Sequence, residues 1–172
     1  MICAALCKRL SQMLSEVLMA DVLTPEQRQL NMSRIRGRDT KPEMYIRSGL
    51  HARGFRYRLQ DRKLPGRPDL VFPRYHAVIF VHGCFWHGHH CSMFKLPVTR
   101  QEFWATKIAS NRARDERTTA ALLKLGWRVA NVWECSIKGR TRLTGDEVIT
   151  KCQNFLLSEE ITLIDISGVQ NT

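Results

Sequence analysis

The pattern of apolar and polar positions predicts a domain in which helices alternate with short strands. Four apolar runs rich in β-branched and aromatic residues indicate strands, at residues 55–59, 69–72, 77–82 and 127–133. A Thr followed three residues later by Glu or Gln is typical of a helix start, and this pattern occurs at Thr24, Thr40, Thr99 and Thr144. A long helix separates the last two strands and predicts that they pair in parallel, whereas the earlier short connections favour antiparallel pairing. The predicted fold class is α/β, with a small mixed sheet flanked by helices.

The length of the chain and its two ends suggest how the domain is organised. A chain of 172 residues suits one domain with its own core. Residues 1–18 are a candidate dispensable extension, since Met19 offers a second start and Lys8 and Arg9 interrupt any signal-peptide core. We expect the domain to span residues 19–158, followed by an irregular tail at 159–172. No apolar run approaches the ~20 residues that a membrane span needs, so no membrane partner is expected.

Charge narrows the class of partner. The chain has 27 Lys and Arg against 16 Asp and Glu, a net charge of +11. Such an excess favours nucleic acid, with an acidic membrane surface as the alternative. Arg28, Arg34 and Arg36 follow the first predicted helix start and are either phosphate contacts or a solvated basic arm. The charge of the whole chain favours phosphate contact.

The strand at 77–82 ends in a segment that is dense in metal-binding residue types. Four of the six His and two of the six Cys lie within residues 82–91. Cys84 and Cys91, with Cys135 just after the fourth strand and one nearby His, suit a closed structural Zn²⁺ site in a reducing compartment. The spacing does not decide which His is the ligand, and buried unligated cysteines are the alternative. Cys152, outside this pattern, is interpreted as structural, as are Cys3 and Cys7.

Asp69 is the candidate for a second, catalytic metal site. It is a lone carboxylate at the start of an apolar strand, where a charge is costly unless it is paired or bound to metal. Carboxylate oxygens suit Mg²⁺, a common cofactor of phosphodiester hydrolysis, whereas the alternative is a turn Asp. Pairing of the second and third strands would bring Asp69 near His82. His82 and His87 are therefore candidate proton-transfer groups.

Three further positions keep a structural alternative beside the functional one. Glu43 is the third helical residue of a capping box and needs no other role. Asp115 falls on a polar helix face with Asn111 four residues before it, which is typical of a solvated surface. Phe85 and Trp86 either pack over the zinc site or wedge between bases and distort DNA.

Several of these motifs together resemble one known family, the very-short-patch (Vsr-type) repair endonucleases. The resemblance covers about residues 28–157, with the motifs in the family's order and spacing. The motifs that carry it are 39–43 (DTKPE), 64–69 (LPGRPD), 78–91 (VIFVHGCFWHGHHC), 94–104 (FKLPVTRQEFW) and 133–135 (WEC).

The resemblance implies a bacterial, cytoplasmic enzyme with a fold related to type II restriction nucleases. Its substrate would be double-stranded DNA with a T:G mismatch arising from deamination of 5-methylcytosine. It would nick the strand 5′ to the mismatched T, act as a monomer and work with mismatch-repair factors that bind mismatches and coordinate excision.

The resemblance also implies roles for individual residues. Asp69 would bind Mg²⁺ with the backbone carbonyl of Val81, and His87 would be the general base. His82, Glu43 and Asp115 would support them in the active site. The structural Zn²⁺ ligands would be Cys84, His89, Cys91 and Cys135. The side chains that intercalate beside the mismatch would be Phe85, Trp86 and Met32.

Two departures from the family pattern and two alternative functions remain at this point. Val81 stands where the best-known member has Thr, and Gly88 interrupts a run that can be all His; neither side chain has an assigned role. A zinc-stabilised DNA-binding module without catalysis would leave Asp69 no role, and a zinc hydrolase would use the His cluster directly. A zinc deaminase is disfavoured, because the chain lacks an H-x-E motif with a P-C-x-x-C partner.

Overall fold

The computed structural model describes residues 24–33 and 37–169, and the fold within them is a mixed sheet with helices on both faces. The candidate extension at 1–18 lies outside the described residues, as do Arg34, Arg36 and the side chains of Arg28 and Met32. The helices are α1 (Pro25–Ser33), α2 (Lys41–Ala52), α3 (Gln101–Lys124), α4 (Glu134–Ile137) and α5 (Gly145–Leu157). The strands are β1 (Arg58–Leu59), β2 (Leu70–Phe72), β3 (Ala77–His82), β4 (Arg128–Trp133) and β5 (Leu163–Ile166), with a short 3₁₀ turn at Pro73–Tyr75.

The five strands form one sheet in sequence order, from β1 to β5. β1 pairs antiparallel with β2, and β2 antiparallel with β3. β3 and β4 are parallel along six residue pairs, joined through α3, and β4 and β5 are also parallel. The predicted mixed α/β sheet is confirmed. The likeness to restriction nucleases stays a prediction.

Strand β5 corrects the expectation of an irregular tail after residue 158. Its four residues pair with β4, from Val129 opposite Leu163 to Val132 opposite Ile166. The segment has only four residues, too few for a clear alternation to be recognised as a strand. It is defined by its pairing with β4, and Ile166 is buried in the core on one face of the sheet.

The helix starts follow the capping prediction at three of four places. Thr24 and Gln27 exchange the two expected hydrogen bonds, and complete capping boxes begin α2 at Thr40 and α5 at Thr144. The prediction for α3 is wrong. Its N-cap is Arg100 rather than Thr99, in a left-handed backbone conformation (φ 54°) without a side-chain cap.

Two apolar cores lie on opposite faces of the sheet, and the period-2 alternation of the strands separates them. In β3, Ile79 faces the core formed with α2 and α5, whereas Val78 and Phe80 face a smaller core that includes Leu122 of α3. Burial on both faces explains the continuous apolar runs of β2 and β3. No helix in the described part of the chain is long and apolar enough to cross a membrane.

Candidate active site and metal centre

The pairing of β2 with β3 brings Asp69 to the functional end of β3. Leu70 lies opposite Ile79 in the antiparallel register. Asp69, the residue before Leu70, therefore lies beside the last residues of β3. The Val81 backbone N–H donates a hydrogen bond of 2.8 Å to the Asp69 carboxylate. The expected proximity of Asp69 to the His82 end of β3 is therefore present in the fold.

These residues line an open cleft of about 420 Å³. Its walls include five of the residues singled out from the sequence: Asp69, Val81, His82, His87 and Asp115. Two cations, Arg67 and Arg114, also line it. The cleft thus combines acidic and imidazole groups with positive charge, the combination needed to hold a phosphodiester near a divalent cation.

The environment of Asp69 makes its charge costly. Burial is the largest effect and raises the pKa of Asp69 to about 6. The Val81 N–H opposes this rise, the nearby Glu43 charge adds to it, and His87 and Arg47 oppose it. A half-buried carboxylate with a single hydrogen bond is well suited to a cation, which supplies the charge the protein does not.

His87 is held by Asp115 from helix α3. Its Nδ1 atom lies 2.5 Å from Asp115 Oδ2, and both side chains are about three-quarters buried or more. The alternative in which Asp115 is only a solvated surface residue does not hold, because α3 places its carboxylate against His87 in the loop after β3. An imidazole held at Nδ1 by a carboxylate leaves Nε2 for proton transfer.

His82 lies beside His87, with ring centroids 4.1 Å apart. It is 9% exposed and stacks on Phe80. Burial, and then the charge of His87, lower the pKa of His82 to about 4. His82 is therefore a neutral imidazole at pH 7, which suits packing or hydrogen bonding better than donation of a proton.

Glu43 is in the capping box that the sequence predicts, but it is also buried. Its backbone N–H and carboxylate exchange hydrogen bonds with Thr40, and only 3% of the residue is exposed. Arg47 Nη1 lies 3.1 Å from Glu43 Oε1 and 2.5 Å from Asp39 Oδ1. Arg47 was not recognised from the sequence. Its position four residues after Glu43, on the same helix face, was the available signal.

The four predicted zinc ligands come together behind the end of β3. One potential ligand atom from each of Cys84, His89, Cys91 and Cys135 lies within 4.8 Å of the others. His89 Nδ1 is 3.7 Å from Cys84 Sγ and 3.5 Å from Cys135 Sγ. Ligand bonds of about 2.0–2.3 Å in a tetrahedron give separations of this size. The group could therefore hold a metal ion such as Zn²⁺.

The electrostatics of the cluster also fit a cation. Burial raises the pKa values of Cys84 and Cys135 above the ordinary value of a thiol. Backbone N–H groups of Cys135 and Gly168 donate to the sulfurs of Cys84 and Cys135 respectively. Buried sulfurs that already accept N–H donors are typical of thiolates stabilised by a metal.

Three partly buried aromatic residues form a cluster, and one of them, Trp104, was not singled out from the sequence. Phe85 packs edge-on against Trp86 and Trp104, with ring centroids 5.2 Å apart in each pair. All three side chains are only partly buried, so core packing alone does not account for them. The Phe103–Trp104 pair at the start of a helix was the available signal for Trp104.

Helix α3 links this aromatic cluster to the cleft. Asn111 is only 6% exposed. It donates a hydrogen bond of 2.8 Å to the Trp86 carbonyl and accepts one of 3.0 Å from Arg114 in the cleft wall. One turn further, Asp115 holds His87, the residue after Trp86. One helix therefore contacts both the loop that carries Phe85 and Trp86 and the imidazole of His87.

Known proteins match most of this chain. Residues 20–93 match the sequence profile of the family described as DNA mismatch endonuclease Vsr. The chain is 46% identical over 152 residues to DNA mismatch endonuclease Vsr of Escherichia coli strain K12, covering 88% of this chain and 97% of that protein. It is 52% identical over 119 residues to the type II nicking enzyme V.XorIIP of Xanthomonas oryzae pv. oryzae, covering 69% and 88% respectively.

A third relative, the type II nicking enzyme V.NmeAIP of Neisseria meningitidis, is 41% identical over 122 residues, or 71% of this chain and 87% of that protein. The mixed sheet, the carboxylate cleft and these relatives together indicate a protein of the endonuclease class. Within that class, the chain belongs to the Vsr family of DNA mismatch endonucleases.

Proposed function

We propose that this protein is a Mg²⁺-dependent repair endonuclease that nicks double-stranded DNA 5′ to the mismatched T of a T:G pair. The observation that supports it most strongly is the single cleft shared by Asp69 and the His87–Asp115 pair. The family membership and the net charge of +11 support a DNA substrate. Deamination of 5-methylcytosine is the proposed source of the mismatch.

In this proposal the cleft residues divide the work of hydrolysis. Asp69 and the Val81 carbonyl hold Mg²⁺, which when bound supplies charge stabilisation at the scissile phosphate. His87 takes a proton from the attacking water at Nε2, and Asp115 keeps the ring oriented and stabilises its protonated form. His82, neutral at pH 7, packs against His87 and fixes the ring's position.

The cluster of Cys84, His89, Cys91 and Cys135 has a structural role in the proposal. Four protein ligands leave no open position for water, so bound Zn²⁺ would fold the loop rather than take part in the chemistry. Cys135 follows β4 and the other ligands follow β3, so the metal would tie together two loops at the same edge of the sheet. This arrangement would hold the segment from Phe85 to His87 in a fixed position.

Phe85 and Trp86 are proposed to intercalate beside the mismatch, together with Met32 from helix α1. The contacts of Trp104 with both Phe85 and Trp86 add it to this group. Unstacking costs less at a mismatch than in paired DNA, so a wedge of aromatic side chains favours mismatched sites.

The test is a nicking assay on end-labelled duplexes that carry one T:G mismatch within randomised flanks. Zinc-loaded protein is assayed with Mg²⁺ and without added divalent cation, and matched T:A duplexes serve as the control. The proposal expects one cut, in the T strand, 5′ to the mismatched T and only with Mg²⁺. Sequencing of the cut molecules would reveal the preferred flanks.

Two other outcomes would contradict the proposal. Tight mismatch binding without any cut would favour a DNA-binding module in which Asp69 is a turn residue. Cutting that is unaffected by Mg²⁺ but disappears when zinc is removed from the protein would favour a hydrolase that uses the His and Cys cluster directly. The variant Trp104→Ala, compared with Phe103→Ala, tests the wedge: only the former should reduce the preference for T:G over T:A duplexes.

A further inference from the structure

The segment that follows β5 lies against the metal-binding cluster. Ile166, the last residue of β5, is buried and pairs with Val132 near the end of β4. This register carries the next residues past the end of β4 to the short helix α4, which contains Cys135. There the backbone N–H of Gly168 donates a hydrogen bond of 3.4 Å to Cys135 Sγ. A segment expected to be an irregular tail therefore contacts one of the four candidate metal ligands.

The contact requires glycine at position 168. A Cβ atom there would lie 2.5 Å from the backbone carbonyl oxygens of both Cys135 and Thr141. These are main-chain atoms, which cannot move aside as a flexible side chain can, so any other residue would push the segment away from the cluster. The next residue anchors the segment, since the Val169 N–H donates a hydrogen bond of 2.8 Å to the Thr141 carbonyl.

The cluster needs donors of this kind. Three thiolates outweigh the charge of one divalent cation, so a loaded site carries an excess of negative charge. Hydrogen bonds donated to thiolate sulfur spread that charge and hold the ligand in its orientation. The Cys135 N–H does this for Cys84 Sγ at 3.3 Å, from within the cluster. The Gly168 N–H does it for Cys135 from a position 33 residues further along the chain.

The same segment forms part of the wall of a cavity beside the cluster. The cavity has a volume of about 510 Å³. Its lining combines three of the four cluster residues with the C-terminal segment, and includes His89, Cys91, Cys135, Gly168 and Val169. Cys91 is only partly buried, so solvent reaches the cluster from this side. The C-terminal segment thus lies between the metal-binding residues and solvent.

We propose that segment 167–169 is part of the metal centre, in which the Gly168 N–H holds the Cys135 thiolate against bound Zn²⁺ and so raises the affinity of the cluster for the ion. This inference rests on the proposed zinc site and not on the nicking reaction. Gly168 is a positioning residue, since it acts on the ion only through Cys135. The metal centre would then join three segments of the chain, which follow β3, β4 and β5.

The test measures zinc affinity by competition between the protein and a chromophoric chelator near neutral pH. Gly168→Ala adds the clashing Cβ and displaces the N–H. It should lower zinc affinity roughly 10- to 100-fold, the usual effect of losing a group that supports a metal ligand. A chain that ends at Ser167 lacks the donor without gaining a side chain, and should lose affinity to a similar extent. This shortened chain carries the test if Gly168→Ala does not fold.

The spectrum of the Co²⁺-loaded protein separates the hydrogen bond from a general structural effect. Co²⁺ can replace Zn²⁺ at sulfur and nitrogen ligands, and its thiolate complexes absorb through charge transfer from sulfur to metal. Loss of an N–H donor raises the energy of the sulfur lone pairs. The charge-transfer bands should therefore move to longer wavelength in Gly168→Ala and in the shortened chain.

Two control variants should bind zinc within about threefold of the wild type and leave the bands in place. Val169→Ala keeps the backbone of the same segment and changes only an exposed side chain. Leu156→Ala leaves a cavity in the core packed by α5, outside the cluster. It therefore reports the effect of lower stability alone.

The outcomes separate this inference from the proposed function. Weaker zinc binding with shifted bands, only in Gly168→Ala and the shortened chain, would support the inference. Unchanged affinity in both, or weaker binding without a shift, would mean that the segment merely covers the cluster and would overturn it. An equal loss in Leu156→Ala would trace the effect to stability and overturn it as well. If the wild type itself takes up no zinc, the proposed zinc site fails, whereas Mg²⁺-dependent nicking is tested independently.

Discussion

The ionised carboxylate of Asp69 should lower the free energy of unfolding of the protein. The rise of its pKa from an ordinary 3.8 to about 6 means that the folded state disfavours the ionised carboxylate. At about 1.36 kcal/mol for each pKa unit, the cost is roughly 3 kcal/mol once the group is ionised in both states. The variant Asp69→Asn removes that cost and can still accept the hydrogen bond from the Val81 N–H. It should therefore be more stable than the wild type, yet inactive.

The pH dependence of this gain has a definite sign. The folded pKa lies above the unfolded one, so the unfolded chain loses the proton first and wild-type stability falls as pH rises from about 4 to about 6. The gain from Asp69→Asn should be roughly 3 kcal/mol at pH 8, about half of that at pH 5, and small near pH 4. Mg²⁺ should reduce the difference in stability between Asp69→Asn and the wild type at pH 8, because it binds the wild-type carboxylate and stabilises only that protein.

Urea unfolding followed by Trp fluorescence, at pH 8 and pH 5 without added divalent cation, measures these free energies. The exposed Glu160→Gln is the matched control and should change the free energy of unfolding by less than about 0.5 kcal/mol at either pH. A gain from Asp69→Asn that is absent at pH 8, or equal at the two pH values, would refute the argument from burial.

Three further predictions test the chemistry, the metal cluster and the fold separately. His87→Ala should lower the nicking rate at least ~100-fold with little change in DNA affinity, while the exposed neighbour variant His90→Ala keeps most activity; a wild-type rate in His87→Ala removes it as the base. Cys135→Ser should reduce bound zinc, measured by mass spectrometry, well below one equivalent and lower Tm; the buried Cys152→Ala, outside the cluster, should retain zinc, and equal zinc in both would contradict the ligand set. Arg128 donates to three backbone carbonyls at the end of α5 and to the backbone carbonyl of Tyr75, so Arg128→Met should cost about 3 kcal/mol in urea unfolding at unchanged zinc content; a loss below about 1 kcal/mol would mean that water replaces those bonds.

Local sequence patterns were sufficient where short-range physics sets the structure. Capping boxes at Thr40 and Thr144 mark helix starts because the side chains and backbone N–H groups that bond are three residues apart. The apolar run of β3 marks a strand buried on both faces. The prediction at Thr99 fails because Arg100 has a left-handed backbone conformation and is itself the N-cap. Strand β5 was not recognised because it is defined by its pairing with β4, which lies about 30 residues earlier in the chain.

The sequence by itself determined the residue types, the mixed α/β sheet and, through its motifs, the family. The tertiary structure decided which of those residues act together. Asp69 and His87 are 18 positions apart but share a cleft because β2 folds back on β3, and Asp115 changes from an apparent surface residue to the partner of His87 because α3 crosses over the sheet. The spacing of Arg47 four residues after Glu43 is visible in the sequence, but the burial of Arg47 and its second contact, with Asp39 eight residues before it, are set by the fold.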